Sequence, residues 1–179
     1  MTRVYRITDT SNDHVIDILK RGLSTAEDEP KTIENYHPDY SSHNANLFYI
    51  LANGRFANGA YFVITDDQDN YMGSQGWHPY SDSIALIGSR GYVAPGSRFH
   101  YILAKEATPR SIRESWSYAE QWITFNEHNF TYYKGFSRDK WKDHELYKYF
   151  ETAGKANVYN TDQWVIRLNK ERYENAGLI

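Results

Sequence analysis

The 179-residue sequence has no cysteine, only five prolines, and no strong excess of charge of either sign. Without cysteine the chain cannot form disulfides, thiolate zinc sites, cysteine nucleophiles or cysteine-ligated iron–sulfur clusters. Lys plus Arg total 20 against 23 Asp plus Glu, a formal net charge of −3. This balance argues against a general nucleic-acid binder, because such proteins carry a basic surface.

Long apolar runs are also missing. The longest run, residues 47–52, is far shorter than the roughly 20 residues of a membrane-spanning helix. The first residues, Met1 to Arg6, contain no apolar stretch of the kind found in a secretion signal. We therefore expect a cytoplasmic protein with no membrane partner and no nucleic-acid partner.

Aromatic residues are abundant, with 16 tyrosines, eight phenylalanines and five tryptophans. Such side chains bury large areas while keeping a polar tip, which suits a small core with amphipathic walls. No linker rich in Pro, Gly or Ser divides the chain, and no internal repeat is visible. The sequence therefore predicts a single domain over residues 1–179.

The N-terminal part alternates between strand and helix patterns. Residues 4–7 read as a first strand, and Ser11 or Asn12 can cap a helix that we expect to end at Gly22. The apolar run 47–51 is compatible with a helix or a strand, because periodicity does not separate short apolar runs.

The rest of the chain predicts a sheet with helices on its faces. In order, the expected elements are strands at 59–65 and 71–77 joined by a turn at 66–70, a strand at 84–93, a helix over 101–119 kinked or split by Pro109, a strand at 121–125, short helices at 129–138 and 144–150, and a strand or hairpin at 158–168. This order indicates an α+β fold with a mixed, mostly antiparallel, twisted sheet of about six or seven strands flanked by helices.

Metal sites are not predicted. The seven histidines never lie three or four residues apart, so no helical pair of histidine ligands exists. Residues 67–70 are similar to the start of a calcium loop, but the central glycine is missing and a hairpin turn explains them better. No nucleophile elbow, phosphate loop or dinucleotide fingerprint is present.

Two segments resemble a known family. The first is the hairpin with Gly73 followed by the strand end Tyr92-Val93-Ala94-Pro95-Gly96-Ser97-Arg98. The second is Asn126 followed by the Tyr-Tyr-Lys-Gly-Phe of residues 132–136. With the element order, they resemble the GNAT superfamily of N-acetyltransferases. The resemblance implies an acyl-CoA N-acyltransferase fold, acetyl-CoA as a substrate, and transfer of the acetyl group to an amine of a small molecule or a protein.

The resemblance also implies a place for acetyl-CoA. A bulged fourth strand would offer its backbone to the pantetheine arm, and the turn after it would aim N–H groups at the pyrophosphate near a helix N-terminus. The implied cofactor-binding residues are Tyr92, Val93, Arg98, Phe99, His100, Tyr101 and Asn126. The family has small residues three and five positions after Arg98, where this sequence has Tyr101 and Leu103. Both side chains must turn away from the phosphates if acetyl-CoA binds.

Acetyl transfer needs a deprotonated amine, a stabilised oxyanion and a protonated leaving thiolate. The resemblance implies Tyr133 as the acid that protonates the thiolate, with the neighbouring Tyr132 as its rival. The strand at 84–92 contains no carboxylate, so the candidate bases are His78 and Asp82, which flank the hairpin and this strand. Solvent acting through a water chain is a third alternative.

Two other functions stay open. One is a catalytically idle GNAT-fold protein that binds a metabolite or a peptide in its cleft. The other is an aromatic-rich binding module, for instance for sugars, with walls from Trp77, Tyr80, Tyr92 and Trp116. Parallel pairing of the strands at 84–92 and 121–125 would favour either GNAT-like function, and a simple meander would favour the binding module. The oligomeric state is open between a monomer and a homodimer.

Overall fold

The computed structural model describes residues 1–27, 40–94, 96–97, 102–125, 127 and 147–179. Its elements are β1 (Thr2–Ile7), α1 (Asp13–Glu27), α2 (Tyr40–Ala52), β2 (Ala60–Asp66), β3 (Tyr71–Pro79), β4 (Ile84–Val93), a π-helical segment (Leu103–Ala107), α3 (Thr108–Glu114), β5 (Glu120–Phe125), a 3₁₀ turn (Tyr147–Tyr149), β6 (Phe150–Val158), β7 (Thr161–Leu168) and α4 (Lys170–Asn175). The seven strands form one sheet in the order β1-β2-β3-β4-β5-β7-β6. All neighbours are antiparallel except β4 and β5, which are parallel. This confirms the predicted mixed, mostly antiparallel α+β fold.

The sheet separates two apolar cores. Successive strand residues point to opposite faces, so Tyr61 packs in one core and Phe62 in the other. The first face is covered by α1 and α2 through buried residues that include Val15, Leu19, Leu47 and Leu51. The second face is covered by the π-helical segment and α3 through Leu103, Ala107 and Ile112. We call these the α1/α2 face and the α3 face.

Helix α1 begins as predicted but ends later. Asn12 caps it, since its Oδ1 accepts the N–H of Val15 at 3.2 Å. Gly22, expected to end the helix, lies inside it, and α1 continues to Glu27. Position 22 requires glycine because a Cβ there would collide with the ring of Tyr71. Gly22 therefore marks a close contact between α1 and β3 and not a helix end. The ambiguous run 47–51 lies in α2.

The predicted helix over 101–119 is shorter and starts differently. The π-helical segment comes first, and the N–H of Thr108 donates to the carbonyl of Leu103. Pro109 stands at the start of α3, where its missing N–H costs little, and the predicted helix is split there into the π-helical segment and α3. The helix stops at Glu114 rather than continuing to residue 119 as predicted, and Ala119 is exposed.

The C-terminal hairpin was only half predicted. Residues 158–168 contain β7, but β6 replaces the end of the helix expected at 144–150. Strand β6 lies at the sheet edge, and its buried residues are Phe150 and Val158 at its two ends. An edge strand with exposed middle residues carries no apolar alternation that a sequence pattern could detect. The helix predicted at 129–138 lies outside the described residues.

Glu114 ties three elements together. Its carboxylate accepts two hydrogen bonds from Arg6 of β1, at 2.8 and 3.2 Å, and one from the indole N–H of Trp77 of β3, at 2.8 Å. The Arg6 pair is half exposed and contributes little, whereas Trp77 is buried. Loss of Glu114 would leave that indole N–H without its partner.

We therefore expect Glu114→Ala to lower the free energy of unfolding by about 1–3 kcal/mol, the cost of a buried donor left unpaired. Urea denaturation measures this value. Glu174→Ala removes an equal charge from an exposed position of α4 and should cost less than about 0.5 kcal/mol. Equal losses in the two variants would contradict the role given to Glu114.

None of the helices in the described ranges is long and apolar enough to cross a membrane.

Candidate active site

The central feature is a gap between β4 and β5. The two strands pair in parallel at Ile84–Glu120, Ala85–Gln121 and Leu86–Trp122. Strand β4 then continues to Val93 and β5 to Phe125 with no further pairing between these described residues. The strands therefore part toward their carboxyl ends, where open sheets form ligand-binding crevices. The parallel pairing favours the two GNAT-like functions over the aromatic binding module.

Two bulges bend β4 away from β5. The register between β3 and β4 shifts on both sides of the Gly76–Ser89 pair, with an extra β4 residue on each side. Gly88 and Arg90 have left-handed backbones, with φ of 73° and 54°. A bulge increases local bend and twist and re-aims the backbone. The bulges account for the parting of the two strands after Leu86.

A buried amide supports the bulges from the α3 face. The Gln75 Oε1 accepts a 2.8 Å hydrogen bond from the Thr108 hydroxyl. The Gln75 Nε2 lies under the bulged backbone, 3.2 Å and 3.4 Å from where a Cβ on Gly88 or Gly91 would stand. Neither polar residue was predicted from the sequence, in which Gln75 stands between Ser74 and Gly76 of β3.

A tyrosine hydroxyl supports the bulges from the α1/α2 face. Tyr61 donates to the carbonyl of Arg90 at 2.8 Å, so its single proton is used there. Complete burial holds the pKa of Tyr61 well above its ordinary value. Tyr61 thus stays protonated and holds the bulge carbonyl in place.

The predicted cofactor-binding residues are only partly described. Tyr92 is buried in the α1/α2 core, and Val93 is half-buried at the end of β4. Leu103 is 1% exposed and packs in the α3-face core. One of the two bulky residues that could crowd a phosphate therefore points into the core. The predicted residues outside the described ranges are Arg98, Phe99, His100, Tyr101, Asn126, Tyr132 and Tyr133.

His78 lies within β3, not beside it, and is 3% exposed. Its Nδ1 is 3.1 Å from the carbonyl oxygen of Pro79 and 3.4 Å from the hydroxyl of Tyr159. Burial, helped by the positive charges of Arg55 and Arg90, lowers the pKa of His78 to about 4. The imidazole is therefore neutral at pH 7, and the carbonyl partner assigns its proton to Nδ1.

This burial predicts a pH effect on stability. The folded pKa of His78, about 4, lies below the value of about 6.5 for an unfolded chain. The unfolded state then binds more protons between these values, so stability is full above pH 6.5 and falls as the pH drops toward 4, by roughly 3 kcal/mol at most. We expect His78→Gln to lose less unfolding free energy between pH 7 and pH 4.5 than the wild type. Denaturant titrations at the two pH values give these free energies, and equal losses in the wild type and His78→Gln would contradict this assignment.

Asp82 lies in the turn between β3 and β4, where it lines an open cavity of about 500 Å³ with Tyr80, Ser81 and Tyr118. This turn precedes the paired ends of β4 and β5, so Asp82 lies at the closed end of the gap, away from its opening.

The aromatic residues expected to form the walls of a sugar site do not come together. Trp77 and Tyr92 belong to opposite faces of the sheet.

No group of three metal-ligating side chains occurs in the part of the chain that the structure describes.

Known structures share this architecture. An N-acetyltransferase from Staphylococcus aureus Mu50 is 14% identical, with a TM-score of 0.56 over 94% of this chain and 97% of that one. A GNAT-family protein from Chromobacterium violaceum is 17% identical, with a TM-score of 0.55 over 96% and 84%. A variant of the spermidine N-acetyltransferase from Vibrio cholerae is 10% identical, with a TM-score of 0.52 over 98% of each chain.

No protein-family profile matches the sequence, and neither does any curated protein. The similarity is therefore one of structure, and it extends over nearly the whole chain. The chain has the fold of the GNAT superfamily of N-acetyltransferases.

Proposed function

We propose that the protein is an N-acetyltransferase that moves an acetyl group from acetyl-CoA to an amine of a small molecule or a protein. The observation that carries the proposal is the gap between β4 and β5, which opens beside a doubly bulged β4 within this fold. Acetyl-CoA would supply the acetyl group as an activated thioester. Solved relatives in fold include N-acetyltransferases, one of them a spermidine N-acetyltransferase.

The residues along β4 are compatible with binding of the pantetheine arm of acetyl-CoA. Gly91 is exposed and carries no side chain, so a ligand can approach the backbone in the open part of the strand. Leu103 is directed into the core and leaves the helix start uncrowded at that position. We propose that the backbone at Tyr92 and Val93 binds the pantetheine arm. Further contacts are proposed from Arg98, Phe99, His100, Tyr101 and Asn126.

We assign the chemical roles as follows. A backbone N–H near Tyr92 or Val93 stabilises the oxyanion, since preorganised donors suit a charge that develops in the transition state. Tyr133 protonates the leaving thiolate, with Tyr132 as the alternative. Removal of the amine proton falls to solvent, because a pKa of about 4 makes His78 a weak base. Asp82 lies at the closed end of the gap and receives no role.

The proposal is tested by incubating the protein with acetyl-CoA and a panel of primary amines, and measuring thiol release together with the mass of the acetylated product. We expect an acetylated amine. Binding of acetyl-CoA without any product would instead support the idle GNAT-fold alternative. Absence of both binding and product would contradict either GNAT-like function.

A further inference from the structure

Arg55 is held on an aromatic ring near the gap. It follows α2 in the chain and is half-buried, and its guanidinium carbon lies 4.5 Å from the ring centroid of Tyr159. Tyr159 stands at the tip of the β6–β7 hairpin with a φ of 51°. Stacking occupies a flat face of the guanidinium and leaves its N–H edge available for a planar anion.

The aromatic cluster under Arg55 continues to the point where β4 and β5 part. The ring of Tyr159 meets Tyr80 edge-on at 5.3 Å, and Tyr80 lies 6.4 Å from Trp122. Trp122 is the last β5 residue that pairs with β4. The cluster therefore forms a wall from Arg55 to the last paired residue of β5, at the closed end of the gap.

Two arginines, Arg55 and Arg90, lie near His78 at one end of this wall. None of the ion pairs among the described residues includes Arg55. Arg90, on the bulge of β4, donates to Asn46 of α2 at 2.5 Å, which places its side chain on the α1/α2 face. Both arginines act electrostatically on His78, which packs against Phe56 on that face.

We infer that Arg55, stacked on Tyr159, binds an anionic group, a carboxylate or a phosphate, of the acceptor amine. As a statement about an acceptor, this inference rests on the proposed function. A guanidinium pairs with either anion through two parallel hydrogen bonds, and a partly buried site strengthens them. The Arg55 guanidinium is itself a cation and offers no partner to a polyamine such as spermidine, which carries only positive charges.

The alternative role of Arg55 is to stabilise the tip of the β6–β7 hairpin. The following experiment separates this structural role from anion binding. Two matched pairs of amines are titrated by NMR without acetyl-CoA: β-alanine against propylamine for the carboxylate, and phosphoethanolamine against ethanolamine for the phosphate. We expect one charged member to bind at least about tenfold more tightly than its uncharged twin, as a charged hydrogen-bonded pair allows. The pair that shows the difference identifies the anion.

Arg55→Met should remove this preference, and Arg55→Lys should retain part of it. Arg113→Met is the matched control, since it removes the same charge from an exposed position of α3 on the opposite face. A purely structural role would lower the melting temperature of Arg55→Met without changing the ratio of the two affinities. The inference would be overturned if the charged and uncharged amines of both pairs bound equally, or if none of them bound. It would also be overturned if Arg55→Met and Arg113→Met changed the affinities equally.

The same pairs, offered as acceptors with acetyl-CoA, separate this inference from the proposed function. Acetyl transfer without preference for the charged amine would contradict only the role of Arg55. Arg55-dependent binding of the anion without acetyl transfer to any amine would contradict only the proposed function.

Discussion

Gly91→Phe is expected to weaken acetyl-CoA binding at least about a hundredfold, equivalent to roughly 3 kcal/mol. Gly91 is exposed in the part of β4 that has parted from β5, and its backbone is not left-handed. A phenylalanine there introduces no left-handed backbone strain, and we expect its ring, which starts from a Cβ between Gln75 and Leu103, to crowd the strand that would bind the pantetheine arm. Titration calorimetry with acetyl-CoA measures the loss.

Gly91→Ala is the matched control at the same position. Its methyl group would stand 3.4 Å from the Nε2 of Gln75 and 3.4 Å from the Cδ1 of Leu103, both ends of flexible side chains. We expect this variant to keep its affinity within about threefold, since these are ordinary van der Waals contacts. Equal affinities of the alanine and phenylalanine variants would place acetyl-CoA away from the gap.

Tyr133→Phe is expected to lower kcat by about a hundredfold or more, the usual contribution of a positioned acid. The hydroxyl is the proposed source of the proton for the leaving thiolate, and phenylalanine removes that hydroxyl alone. The dissociation constant for acetyl-CoA should change by less than about threefold, because the acid acts in the transition state. Steady-state kinetics and calorimetry on the same variant measure both quantities.

Tyr132→Phe removes the hydroxyl of the neighbouring tyrosine. Comparison of the two variants decides which tyrosine protonates the thiolate. We expect its kcat to stay within a few-fold of the wild type. A large loss in Tyr132→Phe alone would exchange the two roles, and small losses in both would exclude either tyrosine as the acid.

Much of the fold could be predicted because its strands carry local signals. The β2–β3 hairpin combines two apolar strands with the turn residues of 66–70, and Asp69 adopts the left-handed backbone (φ 61°) that such turns require. The parallel neighbour of β4 follows from the helix that intervenes between β4 and β5. Strand β6 could not be predicted, since its pairing with β7 is made by exposed residues at a sheet edge.

The site depends on contacts that no local pattern contains. Counting from Arg98 placed Leu103 where a ligand phosphate would be crowded. The structure instead places Leu103 at the start of the π-helical segment with its side chain in the core.

The ring contacts that form the wall beside the gap could not be predicted from the sequence either. Arg55 and Tyr159 are about a hundred residues apart in the sequence, and the tip of the β6–β7 hairpin brings them together. His78 shows the same limit, since its burial under Phe56 and Tyr159 decides that it is neutral at pH 7. Sequence alone placed it only near the hairpin.

Titration calorimetry of the wild-type protein with acetyl-CoA, and in parallel with CoA, tests most directly whether the gap between β4 and β5 is a cofactor site. We expect one binding site per chain for acetyl-CoA, with a dissociation constant between about 1 μM and 1 mM, the usual range for an enzyme substrate. Absence of binding by either compound at a concentration of about 1 mM would contradict an acetyl-CoA-dependent function for this fold.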